Sequence, residues 1–270
     1  MIKTAANIVK GVFRSKKHKS IRFDTISWTQ EKILKHQEDK NIKSLNFKTF
    51  TIWYKRPYEL LHTYKEIFEN EIYRFQTDNT EPLLIDCGSN IGLSLIYYKQ
   101  IYPNATIIAF EPDEQNFILL EKNVAANDNK NIQLNKAAVW ITDGEISFEA
   151  SESEASHISE ANNATKVKSV RLKNVLNDYP MIDFLKVDIE GAEWEVITDC
   201  ETELKKVRNL FLEYHGKVNE TNKLNGLLEI LYKAEFCVYI RNAADNIYHP
   251  FVEKTTNTIY DVQLNLFCYK

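Results

Sequence analysis

From Pro82 to the C-terminus, short apolar runs alternate with stretches of helical period, and several runs end on a titratable residue. Leu83-Leu84-Ile85 leads into Asp86-Cys87-Gly88, and Ala105–Phe110 leads into Glu111-Pro112. Ile182–Ile189 carries Asp188, and Val207–Tyr214 leads into His215-Gly216. Helices are predicted over Ile91–Tyr102, Asp113–Ala126, Glu190–Thr198 and Asn222–Lys233, with Asp113 as an N-cap and Phe117, Leu120 and Val124 on one face. Ile132–Val139 reads as a third strand. Gly144–Phe148 and Lys166–Leu172 read as shorter extended pieces, and Phe236–Ile240 and Ile259–Tyr269 as closing strands. Strands this apolar need cover on both faces. The alternation therefore predicts an α/β fold with a mostly parallel sheet between helices.

Residues 1–80 read as an N-terminal extension and cap, and residues 81–270 as the main domain. Phe50–Tyr54 is expected as a strand. Pro57–Phe75 is expected as one helix, with Tyr58, Leu61, Tyr64, Ile67 or Phe68, Ile72 and Phe75 at helical spacing. The polar segment Ser151–Thr165 is expected to be a mobile loop. A hydrophobic fraction of 44% excludes bulk disorder, and a net charge of −4 excludes a chain that binds nucleic acid by overall charge. The charge is uneven: residues 1–22 carry seven lysines and arginines and no acid. Ile2, Ala5, Ala6, Val9, Val12 and Phe13 share a helical face there. The preferred reading is a terminal helix packed on the domain, with peripheral contact to an anionic membrane as the alternative. No run reaches the length of a membrane span, and the N-terminus lacks a signal-peptide core. Cys87, Cys200, Cys237 and Cys268 have neither zinc-site nor disulfide spacing, which points to buried thiols in a reducing, cytoplasmic setting.

Glycine is scarce, at 7 of 270 residues, and four of the seven fall at the ends of the apolar runs. Asp86-Cys87-Gly88-Ser89-Asn90-Ile91-Gly92 stands at the strand-to-helix turn where open α/β sheets bind ligands. Gly88 permits a sharp turn, Gly92 permits close packing of the helix start, and the helix's free N–H groups suit a polar ligand group. The spacing matches neither G-x-G-x-x-G nor a phosphate loop, so a nucleoside-like ligand with a smaller charged tail is expected. Glu111, 19 residues after Gly92, is placed to accept both hydroxyls of a ribose.

Two further constellations end on the same sheet edge. Lys186-Val187-Asp188-Ile189-Glu190-Gly191-Ala192-Glu193 puts Asp188 at a strand end facing the cleft and Glu190 near a helix start. Clustered carboxylates can act as bases or bind a cation. Glu193 and Glu195 read as acids of a first helical turn. His215 is the candidate general base, because an unperturbed imidazole titrates near neutrality. His157, in the polar loop, ranks below it.

Together these residues resemble the FkbM family of S-adenosylmethionine-dependent methyltransferases. The likeness covers roughly residues 82–215 and rests on D-x-G-x-N-x-G at 86–92, Glu111-Pro112, and K-x-D-I-E-G-A-E at 186–193. Arg56 stands where the family often has an arginine. The resemblance implies a Rossmann-like class I methyltransferase, with a seven-stranded, mostly parallel sheet whose last strand is antiparallel. It implies S-adenosylmethionine as cofactor, held at Asp86, Gly88, Ser89, Asn90, Gly92, Glu111, Pro112, Asn116 and Ala138. The resemblance does not fix the catalytic residues; the residues themselves point to Asp188, Glu190 and His215 as the catalytic cluster. The implied acceptor is a hydroxyl on a sugar, glycan or natural product. A divalent cation is compatible with such chemistry, but no metal ligands are assigned. The alternatives are a NAD-dependent reductase, against which the missing third glycine and the lack of a Tyr-x-x-x-Lys pair count, and a non-catalytic binding protein on the same fold.

Overall fold

The computed structural model describes residues 23–149, 157–158, 165–254 and 258–270. The basic segment 1–22 and most of the loop 151–165 lie outside the described residues. Seven strands form the central sheet: β3 (Leu83–Cys87), β4 (Thr106–Phe110), β5 (Ile132–Asn135), β10 (Ile182–Val187), β11 (Val207–Gly216), β12 (Cys237–Ala244) and β13 (Val262–Tyr269). Their order across the sheet is β12-β13-β11-β10-β3-β4-β5. The strands from β11 to β5 pair in parallel, and β13 runs antiparallel to both neighbours. This is the class I methyltransferase arrangement expected above. The order reverses beside β3, so β3 and β10 diverge at the switch point where such sheets open a crevice.

Helices flank the sheet: α3 (Leu93–Ile101) after β3, α4 (Glu114–Ala126) after β4, α5 (Leu172–Asn177) before β10, α6 (Glu193–Asp199) after β10 and α7 (Thr221–Lys233) after β11. Asp113 caps α4 by accepting from the Asn116 amide at 2.9 Å. Strand alternation splits the core in two. Ile85, Leu185, Val187, Leu210 and Leu212 point to one face, towards α6 and α7, while Leu84, Phe184 and Phe211 point to the other. Period 2 therefore sets Asp86, Lys186 and Glu213 on the same face as Leu84, Phe184 and Phe211. In the ladder Lys186 stands opposite Asp86.

That second face is covered by α3 and by the N-terminal segment. The segment comprises α1 (Trp28–His36), the hairpin β1 (Lys43–Asn46) and β2 (Thr51–Tyr54), and α2 (Pro57–Tyr64). Phe47, Phe50, Tyr64, Phe68 and Tyr97 pack in one aromatic group that joins the cap to α3. Asn123 and Asn127 of α4 fasten the hairpin. Asn123 accepts from the Trp53 amide at 2.6 Å and donates to its carbonyl at 2.9 Å. Asn127 does the same for Thr51, at 2.8 Å in each direction.

Three expected elements differ. The predicted Pro57–Phe75 helix ends its α-helical part at Tyr64 and continues as a π-helical turn, Lys65–Glu69, closed by the Asn70 amide on the Lys65 carbonyl. The wider turn buries Ile67 and Phe68 together, and Glu71 then leaves with a φ of 49°. The predicted strand Ile132–Val139 is two strands. β5 belongs to the main sheet, whereas β6 (Ala138–Trp140) joins a second sheet with β7 (Gly144–Glu149), β8 (His157–Ile158) and β9 (Thr165–Arg171). A tight turn from the Ala137 amide to the Asn135 carbonyl breaks the run. Finally, the helix predicted from Glu190 begins at Glu193. Residues 188–192 form a loop with φ of 55° at Glu190 and 97° at Gly191, so Glu190 stands before the helix rather than in its first turn.

Candidate functional site

A cavity opens over the carboxyl ends of β3, β4, β10 and β11. The cap supplies its far wall through Lys55, Arg56, Glu59, Thr63 and Glu66. Its floor is the turn after β3. Gly88 has a φ of 83°, and a Cβ there would lie 1.8 Å from the Asp188 carbonyl oxygen, so only glycine fits. The Gly88 and Ser89 amides both donate to the Phe110 carbonyl, which fixes the turn to β4. Ser89, Asn90, Pro112, Asn116 and Ala138 line the cavity with Gly88 and Glu111. Gly92 does not. It has a φ of 86° and lies against Leu120 of α4, where a Cβ would be 2.5 Å from Cδ1.

Glu111 is 5% exposed. Its carboxylate accepts from the Asn90 amide at 2.8 Å and the Asp113 amide at 2.9 Å. Burial outweighs those bonds and pushes the carboxyl up to about 7. Asn116 accepts from Arg56 Nη2 at 2.8 Å, and Arg56 pairs with Glu59 at 3.0 Å, so the arginine ties the cap to the cavity rim.

Beneath the floor lies an ion pair that is almost dry. Asp86 is fully buried, and neither carboxylate oxygen has a hydrogen bond of good geometry, although the Ser94 and Ser89 hydroxyls beside it act to lower its pKa. Lys186 stands 3.7 Å from Asp86 and 3.1 Å from Asp188 Oδ2, and donates to the Gly88 carbonyl at 2.7 Å. Burial raises the Asp86 carboxyl against the pull of Lys186. Despite its own burial, Lys186 is held above the usual ammonium range by Asp188 and Asp86.

Beyond Asp188 the wall turns acidic. Glu193 is fully buried and accepts from the Ile189 and Gly191 amides. Its Oε1 also lies 3.1 Å from His215 Nδ1. The other imidazole nitrogen, Nε2, lies 3.5 Å from Glu190 and 3.7 Å from Glu213. Burial alone would lower the His215 pKa. Glu193, Glu190 and Glu213 together raise it to about 10. Burial and the neighbouring Asp188 charge hold Glu213 well above the carboxylate range, and raise Glu66 on the cap.

Residues 86–240, more than half of the chain, match the profile of the methyltransferase FkbM domain. The chain belongs to the FkbM methyltransferase family. Methyltransferase sdnD of Sordaria araneosa is 29% identical over 204 residues, covering 62% of this chain and 79% of that protein. The 2-O-methyltransferase NoeI of Sinorhizobium fredii is 24% identical over 159 residues, 51% of this chain and 65% of its own. The hexuronic acid methyltransferase AglP of Haloferax volcanii is 27% identical over 157 residues, 56% and 64%. Among solved structures, the FkbM methyltransferase from Methylobacillus flagellatus aligns with a TM-score of 0.47 and 18% identity, over 74% of this chain and 46% of that one. With the family established, a methyltransferase replaces the reductase alternative. No helix among the described residues is long and apolar enough to cross a membrane.

In this FkbM methyltransferase Asp188, Glu190 and Glu213 line one part of the cavity, with His215 buried behind them 3.5 Å from Glu190, and Glu111, Pro112, Asn116 and Ala138 line another. Two expectations need correcting. His215 does not titrate near neutrality. Three carboxylates around a buried imidazole keep it protonated at neutral pH, so it serves as a cation and donor rather than a free base. Glu193 is more than a first-turn acid, because it is buried and holds His215 as well as the loop amides. His157 falls in β8, opposite Glu149. Sequence reasoning missed Glu213, Lys186 as an ion-pair partner, and Glu66. Glu213 was accessible, since it lies two residues before His215 and so shares its strand face. Glu66 had no such signal, because only tertiary packing decides which cap residues meet the cavity.

Proposed function

We propose that this protein is an S-adenosylmethionine-dependent O-methyltransferase acting on a hydroxyl of a sugar, glycan or small natural product. The observation that carries the reading is a cavity with two unlike ends: a glycine turn beside a buried acid, and a carboxylate–imidazole wall. At the first end the residues suit the cofactor. The close approach at Gly88 leaves backbone where a side chain would obstruct a ligand. Glu111 has lone pairs left for two ribose hydroxyls after its two amide bonds. Pro112, Asn116 and Ala138 bound the space beyond for a flat base. Ser89 and Asn90 flank the turn, Asp86 with Lys186 sets the charge beneath it, and Gly92 shapes it from behind.

When bound, S-adenosylmethionine supplies a methyl group already activated on a sulfonium. The protein's part is to align the acceptor, exclude water and receive a proton. Asp188 ends β10 at the cavity and accepts the hydrogen bond of the acceptor hydroxyl, drawing its lone pair towards the methyl carbon. Lys186 fixes that carboxylate from 3.1 Å. Glu190 orients a neighbouring hydroxyl by accepting its hydrogen bond, and protonated His215 behind it holds Glu190 and Glu213 in position. The names of NoeI and AglP support a sugar hydroxyl as acceptor. The test is a transfer assay with methyl-labelled cofactor against sugar nucleotides, glycans and cell extract, alongside calorimetry with S-adenosylhomocysteine. Label is expected in an alkali-stable ether. Asp188→Ala and His215→Ala are each expected to lower turnover at least tenfold, with cofactor affinity kept in the histidine variant. Wild-type turnover in both variants, or no binding of the homocysteine product at millimolar concentration, would refute the reading.

A further inference from the structure

The structure assigns a divalent-cation site to Asp188, Glu213 and His215. One oxygen from each carboxylate and one imidazole nitrogen lie within 4.8 Å of one another. Some point is then within about 2.8 Å of all three donors, and small side-chain shifts reach the 2.0–2.6 Å of metal–oxygen bonds. The three residues come from the ends of adjacent strands β10 and β11, so the rigid sheet edge spaces them.

A second observation, independent of the acidic cluster, concerns the imidazole. The His215 side chain is 2% exposed, and Nε2, the nitrogen facing the carboxylates, meets them as ion pairs at 3.5 Å from Glu190 and 3.7 Å from Glu213, outside hydrogen-bond geometry. Meanwhile Nδ1 is held by Glu193, which the loop amides hold in turn. A carboxylate on one imidazole nitrogen and an open coordination position on the other is the arrangement that orients metal-binding histidines. Buried Glu193 thus ties the 189–191 loop to the ring and sets the ring's orientation.

Local charge points the same way. Asp188, Glu190, Glu193 and Glu213 converge here around Lys186, which is shared with Asp86, and the imidazole. A divalent ion displaces one imidazole proton and brings two charges in its place. One nitrogen and two carboxylate donors suit a first-row ion such as Mn2+ better than Ca2+. With three protein donors, positions remain for water or for two oxygens of a polyol acceptor. The consequence for the acceptor rests on the methyl-transfer reading, while the cation site itself does not.

The test uses the full chain, stripped with EDTA and desalted. Mn2+ is titrated while the spin-resonance signal of the free ion is followed, and S-adenosylhomocysteine binding is measured separately on every variant. One Mn2+ per chain is expected, with nitrogen modulation in the pulsed spectrum from one imidazole. Glu213→Gln and Asp188→Asn should each weaken Mn2+ at least tenfold, and His215→Asn should remove the nitrogen modulation. Glu193→Gln, one shell out, should weaken Mn2+ by about 10–100-fold. The isosteric Glu213→Gln guards against a His215 variant that fails to fold, and circular dichroism verifies each protein. No stoichiometric Mn2+ at millimolar concentration, affinity unchanged in both carboxylate variants, or bound Mn2+ without nitrogen modulation would overturn the assignment. Loss of homocysteine-product binding with Mn2+ binding intact would sink the methyl-transfer reading and leave the cation site standing.

Discussion

Lys186 is the residue whose removal tests the buried charge arrangement most directly. It is 3% exposed, and its ammonium faces Asp86, which is fully buried with no hydrogen bond of good geometry to either oxygen. Lys186→Met keeps the aliphatic stem and deletes the charge. Removing one member of a buried pair costs about 3–5 kcal/mol, because the other charge stays behind. The bond to the Gly88 carbonyl is lost as well, although the two losses overlap. In a chain of this size that is a fall of roughly 6–20 °C in Tm. The pH dependence follows from the sign of the shift. Burial already raises the Asp86 carboxyl, and without Lys186 it rises further. An acid whose folded pKa is raised binds more protons folded than unfolded, so stability is lost as pH climbs above the unfolded value of about 3.9. The deficit of Lys186→Met should thus be smaller at about pH 5 than at about pH 8, where the unfolded carboxyl is ionised. Asp86→Asn/Lys186→Met should recover about 2 kcal/mol or more and flatten that slope, since no charge remains to bury. Urea unfolding followed by tryptophan fluorescence at both pH values gives all of these quantities. A single variant within about 1 kcal/mol of wild type at the higher pH, or a double variant no better than the single, would refute the account.

Three other outcomes follow from the same geometry. Gly88→Ala should lose at least about 2 kcal/mol, from the left-handed φ and the contact with Asp188, and should abolish binding of S-adenosylhomocysteine; a wild-type melt and titration would contradict this. Glu111, with its carboxyl at about 7 in the folded state, should cost the ligand-free protein about 3 kcal/mol of stability as pH rises from about 4.5 to 7. Glu111→Gln should remove that part of the stability–pH profile, and identical profiles would argue against a desolvated acid. Asn123→Ala removes three hydrogen bonds from a fully buried amide, to both backbone groups of Trp53 and to the Ile91 carbonyl. A loss of about 2–3 kcal/mol is expected by thermal melting, with hydrogen exchange quickening in residues 43–54, and unchanged exchange there would count against the fastening role.

The parts of the fold that were legible in the sequence are those where local pattern and global position agree. Apolar runs ending in Asp86, Glu111, Asp188 and His215 located four strand ends, because a strand buried on both faces keeps its polar residues for its exit. What escaped was set by partners distant in sequence. Nothing in Lys65–Glu69 announces a π-helical turn, which accompanies the joint burial of Ile67 and Phe68, the latter among Phe50, Tyr64 and Tyr97. The break at Lys136-Ala137 lacks the glycine or proline that would mark it. His215 was placed rightly and its protonation wrongly, because the carboxylates that govern it come from residues 190, 193 and 213, and proximity of that kind is a product of folding.

The pairing of α4 with the cap hairpin has a consequence of its own. Four residues along a helix advance about 6 Å, and two residues along a strand about 6.6–6.8 Å. Asn123 and Asn127 are therefore spaced like alternate residues of a neighbouring strand, and each presents one donor and one acceptor, as a backbone amide does. To β2 the helix looks like another strand. The hairpin's outer edge, which would otherwise offer Thr51 and Trp53 to any passing chain, is closed by two side chains. Aspartate would lack the donor and glutamine would overreach, so the protection of that edge depends on asparagine at both positions.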